Sequence, residues 1–222
     1  DCQIQEQHGS ENTIIAVGKP LYSYSLIDDS NKTVKSNDEK IIVGQENMHN
    51  ITQQAWSEAV HTVAFDDIDI SSWYKKQHIL YKITQALHKI IKIYPELNGH
   101  YDASSYKFSA IADINIGIAY FNKNKTDILI MQQAQKHSET TFKQQLAQAK
   151  NISQQHYQQA SILLSNVGMM GGRFYTPLVI PPLTCTIAIG KVSKRAIVKD
   201  DKIHIGQCMP ISISTDHRII PG

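Results

Sequence analysis

His217 stands in the closing run Ser214-Thr215-Asp216-His217-Arg218-Ile219-Ile220-Pro221-Gly222 and is the side chain best fitted for chemistry. An imidazole titrates closer to neutral pH than other side chains, so it is the usual general base for a thiol or hydroxyl nucleophile. Asp216 and Arg218 flank it with opposite charges and read as structural groups. Pro221 offers neither a carboxylate nor a backbone N–H, and it biases Ile220 away from helical angles. By type and place alone, an ordinary strand-end histidine is the commoner reading of His217 than a base. His61 is a second histidine of interest, whose strand position argues for packing or a hydrogen bond.

The elements that must hold these groups are legible in the apolar pattern. From Met209 to Ser214 apolar and small polar residues alternate, the period of a half-buried strand, which puts Asp216-His217-Arg218 at its end. Val60–Ser71 reads as a strand and turn. Ile79, Leu80, Ile83, Leu87, Ile90, Ile91 and Tyr94 recur at helical spacing, which predicts about four turns of helix stopped by Pro95. A second helix is predicted over Ser138–Lys150, with Phe142, Leu146 and Ala149 on one face. Further strands are predicted at Tyr106–Phe108, Ile114–Tyr120, Asp127–Met131, Ser161–Leu164 and Thr186–Ile189. Without a regular β-α-β alternation, the pattern suits an α/β mixed sheet with helices packed on it. Residues 1–40 are the least patterned: Ile14–Leu21 reads as a strand and turn, and Asp28–Lys32 and Lys35–Asp38 as linker. The expected organisation is an N-terminal arm or linker over 1–40 and one catalytic domain over 41–222.

Composition narrows the class. A chain of 222 residues, 41% hydrophobic, is long enough to bury a sizeable core, and 19% charged residues with a net charge of +2 predict no nucleic-acid or membrane partner. No apolar run approaches the ~18 residues a bilayer-spanning helix needs. Cys2, Cys185 and Cys208 are odd in number and lack Cys-x-x-Cys spacing, which argues against a disulfide framework or a zinc site and for a reducing cytoplasm. The chain opens on Asp1, which reads as a fragment or a processed form.

Several stretches, in order along the chain, carry a resemblance. They are His61-Thr62 before Phe65-Asp66 and Asp69-Ile70; Tyr94-Pro95-Glu96-Leu97-Asn98; Ile114–Ala119; Leu164-Ser165-Asn166-Val167-Gly168; Thr176-Pro177 with Pro181-Pro182; and Ser214–Gly222. Over about residues 40–222 the chain resembles the dihydrolipoamide acyltransferases, the core subunits of 2-oxo acid dehydrogenase complexes. The resemblance implies a chloramphenicol acetyltransferase-like two-layer sandwich. It implies transfer of an acyl group, acetyl first among candidates, between dihydrolipoamide and coenzyme A, with no metal. By position, His217 matches the family's general base and Ser165 its hydroxyl donor to the oxyanion. In that family the two come from different subunits of a trimer, so a homotrimer or larger assembly is implied, with other complex subunits as partners.

The departures from the family pattern matter equally. Pro221 replaces its aspartate, and Lys125–Ile130 lacks the glycine and proline of a segment that walls the substrate channel. No Asp-Lys-Ala lipoylation site or subunit-binding domain is recognisable, and the chain stops at Gly222 where the family continues into a helix. The substitution at 221 predicts weakened or absent standard acetyl transfer. The alternative readings are therefore an impaired paralogue kept as a trimeric scaffold or binding module, and an acyltransferase for another acceptor.

Overall fold

The computed structural model describes residues 2–7, 22–26, 42–122, 125–148, 157–168 and 171–221. The predicted strand at Ile14–Leu21 and the two linker stretches lie outside them. The chain divides into two units, Asp1–Ile41 and Ile42–Gly222. In the first, β1 (Cys2–Gln7) pairs antiparallel with β2 (Tyr22–Leu26), with a register shift between Ile4 and Glu6. The Tyr-Ser-Tyr-Ser-Leu alternation of β2 is the two-residue strand period.

The second unit begins with α1 (Ile42–Glu58), which sequence periodicity did not disclose: its apolar residues do not gather into a stripe. There follow β3 (His61–Asp69), α2 (Ile79–Ile90), β4 (Gly99–Asp102), β5 (Lys107–Ala110), β6 (Ile116–Asn122), β7 (Lys125–Met131), α3 (Glu139–Gln148), β8 (Ile162–Asn166), β9 (Cys185–Ile189), β10 (Ser193–Lys199) and β11 (Lys202–Asp216). Seven strands form one mixed sheet in the order β10-β11-β9-β8-β6-β7, with β3 on the other edge of β11. β8 runs parallel to both β6 and β9, and the remaining pairs are antiparallel. The mixed α/β class expected from the sequence is the one observed.

Alternation sorts the sheet residues onto two faces. Ile116, Ile118, Ile162, Leu164, Ile187, Ile189 and Met209 pack with Leu80, Ile83, Leu87 and Phe142 from α2 and α3. Each Leu or Ile removed from water there contributes roughly 1.5–3 kcal/mol. On the opposite face Leu163, Ile130, Ala160 and Leu183 form a smaller cluster. All five residues of β9 are buried, as befits a strand flanked on both edges.

Two predicted boundaries shift for local reasons. α2 ends at Ile90, short of the four turns predicted, as a residue before proline is kept from helical angles and Tyr94 lies outside them (φ −124°, ψ 74°). β11 begins seven residues before the predicted start at Met209 and forms a hairpin with β10, a strand not predicted. Its tight turn, Asp200-Asp201, places both residues at positive φ (51° and 57°) without a glycine to signal it. Pro210 sits inside β11, but its carbonyl accepts from Gly190 N–H on the edge where pairing passes from β10 to β9. The missing N–H therefore falls in the gap between two partner strands, where no ladder bond is lost.

Candidate active site

The C-terminal end of β11 is fixed before His217 is reached. Asp216 pairs with His61 of β3, donates its N–H to Thr184 O at 2.9 Å and is buried, 1% exposed. Its carbonyl accepts from the N–H groups of Ile219 (3.0 Å) and Ile220 (2.9 Å), closing one helical turn. Its carboxylate accepts the backbone N–H of Arg218 (3.1 Å) and grips the guanidinium through Nε (2.9 and 3.1 Å) and a terminal nitrogen (2.5 Å). This two-point pairing pushes the Arg218 pKa above its ordinary value. Arg218 also lies over the ring of Tyr101, 4.7 Å from its centre, a cation–π contact.

Tyr101 is held by a second network. Asn98, 1% exposed, donates through Nδ2 to Ile111 O (2.5 Å) and Asp113 O (3.1 Å). Its Oδ1 accepts the Ser161 hydroxyl at 2.6 Å, and that hydroxyl oxygen accepts Asn115 N–H at 2.9 Å. Asn98 thus ties the starts of β4, β6 and β8 together, and Tyr101 follows three residues later. The Pro-x-Leu-Asn stretch is structural, and its buried asparagine is satisfied at both ends of its amide.

His217 itself donates its backbone N–H to Val60 O at 2.7 Å, and its ring is exposed in the single chain. Nδ1 lies 3.1 Å from Ile220 O. A carbonyl only accepts, so this bond requires the proton on Nδ1 and leaves the Nε2 lone pair outward as a base.

His61 has both ring nitrogens engaged, Nδ1 donating to Ala59 O (3.1 Å) and Nε2 accepting Val179 N–H (3.0 Å). Its position beside β11 makes it a brace with no free nitrogen, in line with its expected structural place.

Ser165 lies near the opposite end of the sheet, on β8 between Ala119 of β6 and Ala188 of β9. It is half-buried, and its hydroxyl has no hydrogen-bond partner among the described residues. The following turn depends on close backbone approach: a Cβ on Gly168 would lie 2.8 Å from Gly190 O, and one on Gly190 would collide with the Arg173 carbonyl. Arg173 pairs with Asp67 of β3.

The two candidate residues do not meet within one chain. Ser165 is in register with Ala188, and Ala188 with Ser212. His217 lies five residues beyond Ser212, about 17 Å along the strand and about 10 Å across from Ser165. Sequence reasoning missed Tyr101 and the Ile220 carbonyl: the first is one of ten tyrosines, and the second is a backbone atom with no residue-type signal.

Cys185 and Cys208 are free and buried, and burial pushes the Cys185 thiol up to about 12, so it is no thiolate nucleophile. Among the described residues no group of three or more His, Cys, Asp or Glu is placed to hold a metal ion, and no helix is long and apolar enough to cross a membrane.

Known proteins share this architecture. The chain is 30% identical over 145 residues to the dihydrolipoyllysine-residue acetyltransferase component of the pyruvate dehydrogenase complex of Rickettsia bellii, covering 63% of this chain and 34% of that protein. It therefore spans about a third of the length of that relative. A crystal structure of the Azotobacter vinelandii dihydrolipoamide acetyltransferase, which addresses a serine, a histidine and an asparagine in its catalytic mechanism, superposes with a TM-score of 0.72. The identity is 19%, over 80% of this chain and 81% of that one. A chloramphenicol acetyltransferase superposes with a TM-score of 0.50 at 14% identity, over 81% and 88% of the two chains. The family model for the 2-oxoacid dehydrogenases acyltransferase (catalytic domain) matches residues 35–222, and the chain belongs to that family.

Proposed function

We propose that the chain is the acyltransferase core of a 2-oxo acid dehydrogenase complex, moving an acyl group, acetyl first among candidates, between dihydrolipoamide and coenzyme A. The observation that carries this reading is the His217 ring, whose Nδ1–H is engaged by Ile220 O so that Nε2 is free to take a proton. In the reaction Nε2 removes the proton of the attacking thiol. The sulfur adds to the thioester carbonyl, and the Ser165 hydroxyl donates to the oxyanion that forms. Collapse expels the second sulfur, which recovers the proton from His217, so one C–S bond forms as another breaks. A single donor to an oxyanion is worth about 3 kcal/mol.

The spacing supports the two roles: Ser165 and His217 stand as far apart in sequence as the serine and histidine studied in the Azotobacter enzyme. That enzyme's asparagine, four residues after the histidine, corresponds to Pro221 here. Since the two side chains are far apart in one chain, the site forms where His217 of one copy meets Ser165 of another, as in a homotrimer or larger assembly. The β10–β11 arm exposes Val198, Ile203 and Ile205 by 76%, 76% and 80%, an apolar surface of the kind a neighbouring copy covers. Other subunits of such a complex are the expected partners, and the cytoplasm the expected compartment. The impaired-scaffold alternative is not favoured at His217, where the ring keeps its Nδ1 partner despite Pro221.

Acetyl transfer from acetyl-CoA to free dihydrolipoamide tests the proposal. We expect turnover that falls at least a hundredfold in His217→Ala with the fold retained. No turnover by well-folded, assembled wild type would overturn it.

A further inference from the structure

Pro221 stands where the family has an acidic or amide side chain, and it also shapes the backbone that touches His217. The turn after β11 is one helical turn long: Asp216 O accepts from Ile219 and Ile220 N–H. The next bond of a continuing helix would run from the N–H of residue 221 to His217 O, and proline has no N–H to give. Proline also keeps the residue before it from helical angles, so the Ile220 carbonyl is freed from the direction of the helix axis. It turns back one turn and meets Nδ1 of His217 at 3.1 Å.

We infer that Pro221 is a positioning residue that presents the Ile220 carbonyl to His217, the backbone acceptor that holds its ring. The inference rests on the proposed acyl-transfer role of His217, but its geometry does not. A carbonyl holds the Nδ1–H tautomer without adding a negative charge beside the ring. Arg218, paired with Asp216, is the charged group nearest in sequence, and its ion pair is complete without help from position 221.

Ring-nitrogen NMR of His217 in the full chain, in wild type and Pro221→Ala, tests the assignment, with Ile220→Ala as a control that keeps the carbonyl. The expected result is a neutral His217 carrying its proton on Nδ1 in wild type and in Ile220→Ala, and a mixture of tautomers in Pro221→Ala at unchanged melting temperature. In the acetyl-transfer assay kcat of Pro221→Ala falls roughly ten- to a hundredfold while KM holds, since a misplaced base costs rate and not binding. A wild-type ring protonated on Nε2, or a tautomer unaffected by Pro221→Ala, overturns the inference. If wild type shows no turnover but Nδ1 carries the proton and loses it in Pro221→Ala, the acyl-transfer reading fails and the positioning role of Pro221 stands.

Discussion

The two ends of the central sheet are built on opposite plans. At the His217 end the turn that carries the base is tied down by polar contacts: Asp216 holds Arg218, Arg218 lies on Tyr101, and the backbone of His217 and Asp216 is tied to Val60 and Thr184. At the Ser165 end the hydroxyl has no partner among the described residues, and the surroundings are shaped by glycines that let backbone approach backbone. The contrast follows from the two tasks. A base works only if its second nitrogen is fixed, which takes a scaffold. An oxyanion donor needs a rigid strand beneath it and a hydrogen that is not already given away.

Three substitutions can break or sharpen this contrast. Ser165→Ala removes the donor and nothing else, so acetyl transfer is expected to fall about a hundredfold or more with the melting temperature unchanged. A large loss of stability would mean that the hydroxyl is part of the scaffold. Asp216→Ala is expected to do the reverse in kind. It strands a partly buried guanidinium and the Arg218 N–H, costing about 3 kcal/mol in denaturant unfolding, with activity falling as Arg218, the residue after His217, loses its anchor. Unchanged stability would show that the ion pair is only decoration. Tyr101→Leu keeps the bulk and loses the cation–π contact, and about 1 kcal/mol is expected. A loss as large as that of Asp216→Ala would move the centre of the scaffold from the carboxylate to the ring.

Much of this was legible in the sequence because the same residues that signal chemistry also obey strand and helix periods. The helix from Ile79, the strand over His61–Asp69 and the placement of His217 at a strand end follow from apolar spacing alone. The β10–β11 hairpin was hidden because its turn is Asp-Asp with positive φ, where glycine or asparagine is the usual signal. At the site, Ser165 was legible only through resemblance, since a serine before Asn-Val-Gly is by itself a turn residue. The carbonyl of Ile220 was illegible in principle, for backbone atoms carry no letter. The bias that Pro221 places on Ile220 was legible from residue type, but the contact of the Ile220 carbonyl with His217 Nδ1 was not.

The central claim is that one site is made from His217 of one copy and Ser165 of another. Mixing separately inactive His217→Ala and Ser165→Ala chains, with exchange of subunits, tests it directly. In a head-to-tail ring about a quarter of the interfaces formed from an equal mixture join an intact His217 to an intact Ser165. We predict that acetyl transfer returns to about that fraction of the wild-type rate. A mixture that exchanges subunits, shown by mass, yet stays as inactive as its parts would contradict the shared site.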